Sequence, residues 1–467
     1  MKTVAIVGGG FTGAAVAFHL ACASDARAVR IVVFEPRAKL GAGLAYGTDD
    51  PVHRINVPAA KMSLLPNDEA HFARWLAAGD RLAADPVAVR PDGSAFPARA
   101  LFGDYVAAHL RPLVADGIVE HVREPVAGIA RAGARWRVAT ASGARLDADV
   151  VVLATSHPPP VPPTVLREAE GAPGFVADAT AAGALDALAT DADVLVVGAG
   201  LTAADIVGTL RAQGHRGRIT LVSRHGLRSR GHAPAGQAAV PRGDFVSRPA
   251  TTALALLRRV RAEVRAAADE GLTWHPVFDA LRLQGGAIWR ALSIAERRRL
   301  VRHLRSFWDV HRFRIAPQLD ELLVAELTAG RVEHVAGRVV GAAAEPGGGF
   351  AVEIRLRAGG TVVRRRFGAL IVATGPAHGT VLASQPHLEG LAAAGVLKPD
   401  PIGLGIACDD GARALRADGK AEPDLFVAGP LARGTFGELM GLPQVTDHAV
   451  LVATAVARLV RPSTAAA

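Results

Sequence analysis

Two short glycine-rich segments, far apart in the chain, have the residue types and spacing that could bind phosphates. The first is GGGFTG at residues 8–13, directly after the apolar run 4–7. The second is GAGLTA at residues 198–203, directly after the apolar run 194–197, with alanine in the third glycine position. Such a segment provides a tight turn, a bare backbone beside the phosphates and a helix N-terminus with partial positive charge. The sequence therefore predicts two bound dinucleotides and electron transfer between them.

A carboxylate distinguishes the first of these units. Residues 31–34 predict the second strand of the unit, and Glu35 follows it, about twenty positions after the loop. A carboxylate there accepts hydrogen bonds from ribose hydroxyls and repels a 2′-phosphate, so it suits FAD or NAD. Because the flavin domain opens the chain in two-dinucleotide flavoproteins, we expect FAD at the first loop.

Basic and hydroxyl side chains stand at the corresponding place in the second unit. The predicted strand 219–222 is followed by Ser223 and Arg224, with Arg228 close behind. These groups can donate hydrogen bonds to a 2′-phosphate, which favours NADPH. NADH remains the alternative, because arginine is abundant in this chain and could stand at this place by chance.

Composition excludes several classes of protein. The formal charge of +9 comes from scattered arginines, without a basic tail or an RNA-binding aromatic pattern, so we expect no nucleic-acid partner. Cys22 and Cys408 do not form a CxxC pair, which argues against a flavin disulfide reductase, and the dispersed histidines do not suggest a metal site. The N-terminus does not resemble a signal peptide and no apolar run has membrane-spanning length, so we expect a cytoplasmic protein without membrane contact.

The order of the motifs predicts an α/β protein with two Rossmann-like dinucleotide-binding domains of the three-layer ββα/αβ type. Apolar strands at 150–153 and 369–372 mark where the chain would leave and re-enter the first domain, so the NAD(P) domain is nested in the FAD domain. The expected boundaries are 1–185 for the first part of the FAD domain and 186–365 for the NAD(P) domain. A helical insertion is expected at about 245–320, and 366–467 forms the C-terminal part of the FAD domain.

Three longer segments resemble a known family. They are GGGFTGAA with FEPRAKLGAGLAYGTDDPVHRINVPAAKMSLLPNDEAHFARWL, then VLATSHPPP, then GPLARGTFGELMGLPQV. They resemble the bacterial FAD/NAD(P)-binding proteins related to flavin-dependent urate hydroxylase and aspartate N-monooxygenase, over nearly the whole chain. The resemblance implies a single-chain flavin monooxygenase that uses NAD(P)H and O₂.

The sequence departs from other flavoprotein patterns at two places. Simpler two-dinucleotide flavoproteins carry Gly-Asp at the C-terminal strand, where the aspartate holds the ribitol. This chain has Gly429-Pro430, so Asp424 or a backbone group is expected to serve instead. The FxGxxxHxxxW signature of Baeyer–Villiger enzymes is missing, which argues against oxygenation of ketones.

The function expected from these features is a FAD-dependent NAD(P)H oxidoreductase, namely a single-component monooxygenase. NADPH would reduce the flavin, and a flavin C4a-hydroperoxide in a dry pocket would hydroxylate a small polar amine or heterocycle. The main alternative is an NAD(P)H dehydrogenase or flavin reductase that passes electrons to a quinone or a partner protein. A FAD-binding sensor or scaffold without turnover is a third. The partners expected are the small-molecule substrate and O₂, and a homodimer remains open.

The residues predicted to bind the two cofactors lie in the loops, strand ends and turns of these motifs. They are Gly8, Gly10, Phe11, Thr12, Gly13, Glu35, Pro36, Arg37, Gly43, Tyr46, Asn56, Met62, Thr155, Gly198, Gly200, Leu201, Thr202, Ala203, Ser223, Arg224, Gly375, Gly429, Pro430 and Gln444. No catalytic side chain is assigned, since this chemistry needs no nucleophile.

A basic cluster in the helical insertion is the candidate substrate site. His311, Arg312 and Arg314 could donate hydrogen bonds to an anionic or carbonyl-bearing substrate. The alternative is a solvated basic helix face, in which case the pocket is expected along residues 56–62 and 433–436.

Overall fold

The computed structural model describes residues 1–24, 28–234, 236, 237 and 240–461 of the chain. The strands are β1 Lys2–Val7, β2 Val29–Phe34, β3 Val119–Val122, β4 Val126–Ala132, β5 Arg135–Thr140, β6 Arg145–Ala148, β7 Val150–Leu153, β8 Phe175–Val176, β9 Val194–Val197, β10 Ile219–Ser223, β11 Val332–Ala344, β12 Phe350–Leu356, β13 Val362–Phe367, β14 Ala369–Val372, β15 Arg413–Leu415 and β16 Ala421–Val427. The α-helices are α1 Phe11–Ala23, α2 Gly43–Tyr46, α3 His71–Ala78, α4 Arg99–Ala115, α5 Leu201–Ala212, α6 Ala253–Asp269, α7 His275–Leu283, α8 Gly285–Ala291, α9 Ile294–Arg312, α10 Pro317–Thr328, α11 Pro386–Ala393, α12 Arg433–Phe436 and α13 Gln444–Val460.

The first sheet is built from both ends of the chain. Its order is β15-β16-β7-β1-β2-β3, and every pairing is parallel except that of the edge strand β15. The central strands are apolar and buried on both sides, as is typical of a parallel sheet covered on both faces. Helices α1 and α13 pack against each other beside this sheet. Strand order reverses between β1 and β7, and that point in an open α/β sheet forms a crevice for a ligand.

The second sheet has the same plan, and its strands come from the part of the chain between β7 and β15. Its order is β13-β12-β11-β10-β9-β14-β8, with parallel pairing from β11 to β8 and antiparallel pairing of the β11-β12-β13 extension. The strand order of this sheet reverses between β9 and β14, which forms a second crevice. The two predicted Rossmann-like units are therefore present, and the α/β fold class is confirmed.

The limits of the second sheet differ from the expected domain boundaries. Strand β8 falls in the segment 1–185 and β14 in the segment 366–467, yet both pair within the second sheet. The reason is that β9 is a central strand, and its second edge needs a hydrogen-bonding partner. The buried run of β14 fills that place, so the chain returns to the first sheet only after residue 372.

Helices α6 to α9 form the inserted helical layer, with a small core around Phe245, Val277 and Leu292. Strands β4 to β6 form a separate antiparallel sheet beside the first domain. Among the described residues, no helix is long and apolar enough to cross a membrane. The same part of the chain contains no group of three or more His, Cys, Asp or Glu residues that could hold a metal ion.

Candidate active site

The first glycine-rich loop lies in the crevice at the carboxyl ends of β1 and β7. Gly8 has a φ of +98°, and a Cβ there would lie 2.5 Å from the Ala154 carbonyl oxygen. Gly13 packs α1 onto the loop, since its Cβ would lie 1.8 Å from the Gly8 carbonyl oxygen. A Cβ on Gly10 would meet only the Gly43 backbone, at 3.3 Å from its Cα. No side chain caps α1, so its first amide groups remain available to an anion.

Glu35 is held beside this loop at the end of β2. The residue is only 4 % exposed, and its Oε2 accepts a hydrogen bond from the Gly9 N–H at 3.1 Å. Its Oε1 accepts from the Arg37 N–H at 3.1 Å and from the Arg37 guanidinium at 3.2 Å. Pro36 forms the exposed turn between them. The carboxylate is therefore fixed where the ribose of a dinucleotide on this loop would lie.

Elements from distant parts of the chain complete the first crevice. The Thr155 hydroxyl, just after β7, is buried and has no hydrogen-bond partner among the described residues. Gly429 has a φ of +73°, and a Cβ there would lie 2.5 Å from the Thr12 hydroxyl oxygen. The Gly429 N–H donates to His448 Nδ1 at 3.1 Å, and Pro430 follows directly. An unpartnered hydroxyl beside a glycine cradle fits a bound dinucleotide.

The other predicted residues of this unit have mixed roles. Phe11 begins α1 and packs edge-on against Tyr46, with ring centroids 6.4 Å apart. Met62 is buried in the main core. Gln444 is the first residue of α13.

Asp424 does not take the place of the missing ribitol aspartate. It lies within β16, where its carboxylate accepts from Arg131 at 2.5 Å and from the Trp136 indole at 3.0 Å. Asp424 therefore attaches the small sheet β4-β5-β6 to the first sheet. A backbone group near Gly429, the alternative to Asp424, is therefore still expected to hold the ribitol.

The second glycine-rich loop has the same construction. Gly198 has a φ of +132°, and a Cβ there would lie 2.2 Å from the Ala373 carbonyl oxygen, just after β14. A Cβ on Gly200 would meet no atom within 4 Å, so the space beside it is open. Ala203 is buried in the first turn of α5, next to Leu201 and Thr202. No side chain caps α5, and the loop therefore fits a second pyrophosphate.

The basic segment after β10 is only partly available to a ligand. Ser223 Oγ donates to the Leu227 carbonyl at 3.0 Å, and Arg228 forms an ion pair with Asp320 at 3.0 Å. Arg224 is exposed and makes no hydrogen bond or ion pair with any described residue. Of the three candidates, Arg224 is the one whose donors are all unused.

The segment 44–59, the most specific part of the resemblance, joins the two domains. Val52 packs against Gly208 of α5, where a Cβ would lie 2.6 Å from Val52 Cγ1. His53 Nε2 lies 3.1 Å from the Thr209 hydroxyl. These contacts explain why a glycine stands inside α5, and they fix Asn56 at the junction of the domains.

An open cavity lies where this segment meets the helical insertion, with a volume of about 520 Å³ when the solvent at its mouth is included. The segment and its continuation contribute Asn56, Val57, Pro58 and Lys61. The insertion and its flanks contribute His232, Phe278, Asp279, Arg282, His311, Arg312 and Arg314. All three predicted substrate residues therefore line one cavity, together with Asn56 from the alternative location.

The predicted substrate residues are already partnered. Arg312 is buried and pairs with Glu438 at 2.6 Å, and Arg314 pairs with Asp279 at 2.7 Å. His311 Nδ1 donates to a carbonyl one turn earlier at 2.7 Å, and burial lowers its pKa. Helix α9 ends at Arg312, which lets Arg314 reach the same cavity from beyond the helix.

Sequence reasoning missed the Arg282 cation of this cavity and did not single out Lys61. Arg282 donates to the Leu442 carbonyl and to Gln444 Oε1, the latter at 3.4 Å. Burial, followed by the charge of Arg312, lowers the pKa of Arg282 to about 9. Lys61 lies inside the range 56–62, the alternative location predicted for the pocket. Arg282 had no such signal, because arginines occur throughout the insertion.

Two protein families match parts of the sequence. The family described as FAD-NAD(P)-binding matches residues 5–158. The family described as L-lysine 6-monooxygenase/L-ornithine 5-monooxygenase matches residues 92–235. No curated protein matches the chain at a significant level.

Solved structures share the fold over almost the whole chain. Ornithine hydroxylase from Pseudomonas aeruginosa is 16% identical with a TM-score of 0.65, covering 98% of this chain and 99% of its own. L-lysine 6-monooxygenase from Pseudomonas syringae is 19% identical with a TM-score of 0.63, covering 98% of each chain. An ornithine N-hydroxylase from Kutzneria sp. 744, solved with reduced FAD, NADP⁺ and L-ornithine, is 18% identical with a TM-score of 0.61 and covers 98% of this chain and 99% of its own.

The family matches begin in β1 and extend past the second glycine-rich loop, so together they include both loops. Over the rest of the chain, the similarity to the solved structures is one of fold. The protein is accordingly a FAD/NAD(P)-binding flavoprotein related to the lysine and ornithine N-monooxygenases.

Proposed function

We propose that this protein is a single-component, FAD-dependent monooxygenase that uses NADPH and O₂ to hydroxylate a small polar substrate, an amine or a heterocycle. The observation that carries the proposal is one polar cavity that borders both dinucleotide-binding units. Arg282 of the cavity reaches Gln444 at the start of α13, which packs on α1 of the first unit. Asn56 of the cavity follows the segment that packs on α5 of the second unit.

The residues present fit FAD in the first crevice and NADPH in the second. Gly10 and the uncapped start of α1 would hold the FAD pyrophosphate, and Glu35 the adenosine ribose. Gly200 and the start of α5 would hold the NADPH pyrophosphate, with Arg224 on the 2′-phosphate. When bound, the flavin takes electrons from the nicotinamide and uses them to activate O₂.

The protein's own contribution is to position the substrate and to exclude water. The Trp289 indole donates to the Gly434 carbonyl at 2.8 Å, and Arg312 pairs with Glu438. These buried contacts hold the helical insertion on the loop before α13, beside the first crevice. Because water and protons that reach the reacting centre divert oxygen to peroxide, contacts that limit the access of solvent favour transfer of oxygen to the substrate.

The similar proteins agree with an amine as the group that is oxidised. Their names specify a lysine 6-monooxygenase and ornithine hydroxylases, and one of them was solved with reduced FAD, NADP⁺ and L-ornithine. We infer the same class of reaction here and place it in the cytoplasm, where NADPH is available. The resemblance to urate hydroxylase and aspartate N-monooxygenase leaves a heterocyclic substrate or an acidic amino acid open.

One experiment separates this proposal from an NAD(P)H dehydrogenase or flavin reductase. The purified yellow protein is given NADPH while oxygen, peroxide and NADPH are followed, first alone and then with amino acids, polyamines and purines. We expect one compound to lower the peroxide released per NADPH and to gain one oxygen atom by mass spectrometry. Peroxide release unchanged by every compound, together with fast reduction of a quinone, would support the reductase instead.

A further inference from the structure

The cavity contains more positive than negative side chains. Its cationic lining residues are Lys61, Arg282, Arg312 and Arg314, and Asp279 is the one carboxylate among the described lining residues. Positive charges that line a cavity raise the local concentration of anions and repel cations.

The acidic groups in and beside the cavity are already used. Asp279 accepts from Arg314 at 2.7 Å, and Glu438 accepts from Arg312 at 2.6 Å. His232 also lines the cavity but is neutral at pH 7, since burial and then Arg314 lower its pKa to about 4. A substrate ammonium group would therefore find no free carboxylate among the described lining residues.

Two cations remain without an acidic partner. The Arg282 Nη2 and Nε donate to Leu442 and Gln444, while Nη1 makes no hydrogen bond with any described residue. Lys61 lies at the more exposed part of the lining and likewise makes no ion pair with a described residue. A half-buried guanidinium that lines a cavity and bonds only to neutral groups gains a charge-assisted hydrogen bond when an anion joins it.

We propose that the cavity selects a substrate with net negative charge, whose carboxylate or comparable oxyanion binds Arg282 and Lys61, and that it rejects diamines. This inference rests on the proposed function and narrows its substrate class. A guanidinium and an ammonium on one anion form charge-assisted hydrogen bonds, which are stronger than neutral ones. The same positive field lowers the pKa of a substrate amine and so favours the neutral nitrogen, whose lone pair is needed to accept an oxygen atom.

The test is equilibrium binding to the FAD-loaded protein by titration calorimetry. The probes are succinate, L-glutamate, L-lysine and cadaverine, which run from dianion to dication. We expect succinate and L-glutamate to bind at least about ten-fold more tightly than cadaverine, with L-lysine no tighter than L-glutamate. Binding of cadaverine or L-lysine as tight as that of the acids, or no binding of either acid, would overturn the inference.

Variants locate the binding to the two cations. Lys61→Met removes an exposed charge without breaking an internal contact, and Arg282→Met removes the half-buried one. Each should weaken L-glutamate binding about ten-fold, while Lys61→Arg and Arg282→Lys keep most of it. Arg261→Met is the matched control, because Arg261 is exposed on α6 and outside the cavity. If acid binding persists in both methionine variants, the anion site lies elsewhere.

Reduction of the bound flavin by NADPH, followed at its visible absorbance in the same samples, separates this inference from the proposed function. If NADPH reduces the flavin but the acids do not bind, only the inference of an anionic substrate is contradicted. Failure of NADPH to reduce the flavin contradicts the proposed function, whichever probe binds.

Discussion

In each dinucleotide loop, a neighbouring carbonyl oxygen leaves no room for a side chain at the first glycine. The Ala154 carbonyl approaches Gly8, and the Ala373 carbonyl approaches Gly198, each within the distance that a Cβ would occupy. In both cases the alanine follows the strand beside the loop-bearing strand. The second glycine has a different role, since a Cβ on Gly200 would meet no atom within 4 Å and one on Gly10 would meet only the Gly43 backbone, 3.3 Å from its Cα.

Substitution of the second glycines should separate the two cofactor sites. Gly10→Val places a side chain over the first phosphate site, so we expect a colourless protein, judged by absorbance after purification. Gly200→Val, the reciprocal control, should retain FAD but lose reduction by NADPH, because its side chain enters only the second site. A Gly10→Val protein with stoichiometric FAD would show that the first loop does not bind the flavin.

Arg224 should determine the preference for NADPH. An Arg–phosphate hydrogen bond contributes about 1.5–3 kcal/mol, so Arg224→Ala should raise the KM for NADPH about ten-fold or more and leave NADH kinetics nearly unchanged. Arg228→Ala is the control, since Arg228 is already paired with Asp320. Equal effects of Arg224→Ala on both cofactors would make its role structural.

At the scale of elements, three contacts attach the helical insertion to the C-terminal segment. Arg282 of α7 reaches the Leu442 carbonyl, Trp289 of α8 reaches the Gly434 carbonyl, and Arg312 of α9 reaches Glu438. Each contact starts from a different helix and ends within the short segment before α13. The insertion is therefore held on the first domain, although its chain is inserted in the second.

The Arg312–Glu438 pair should show the asymmetry of buried ion pairs. Arg312→Met leaves Glu438 buried and unpaired, so we expect the free energy of unfolding in urea to fall by about 3 kcal/mol. The double variant Arg312→Met/Glu438→Met should recover much of that loss, because no buried charge remains. Arg312→Ala should also release more peroxide per NADPH while retaining FAD. A double variant as unstable as the sum of its single variants would contradict this account.

At the scale of the whole molecule, buried neutral histidines link the stability of the fold to pH. Burial lowers the pKa of four histidines from the ordinary 6.5 to about 4, namely His157, His232, His387 and His448. They are distributed over the cavity, the domain junction and the first domain. As pH falls below 6.5 the unfolded chain takes up protons before the folded one does, so stability is present above that pH and is lost as pH falls toward 4.

We therefore expect the melting temperature to fall steadily from pH 6.5 to pH 4. Each such histidine lowers the free energy of unfolding by on the order of 2 kcal/mol at pH 5. His387→Gln should reduce the slope, whereas His303→Gln, at an exposed position on α9, should leave it unchanged. Thermal melts at half-unit pH steps measure both, and identical slopes in all three proteins would exclude this linkage.

The sequence by itself determined the two dinucleotide units, because each is a local strand–loop–helix design. Gly8 to Gly13, Glu35 and Gly198 to Ala203 lie within short segments, and short-range geometry fixes what they can bind. The observed α/β fold with two Rossmann-like units and the match to the FAD-NAD(P)-binding family agree with that prediction. The resemblance to urate hydroxylase and aspartate N-monooxygenase stays a prediction.

Only the tertiary structure decided which cations are free to meet a substrate. The sequence shows His311, Arg312 and Arg314 as one cluster, but Glu438 and Asp279 neutralise the arginines from other parts of the fold. Tertiary contacts likewise assigned β14 to the second sheet and brought Lys61 and Arg282 to one cavity. Charge compensation and sheet pairing join residues far apart in the chain, and local spacing does not contain that information.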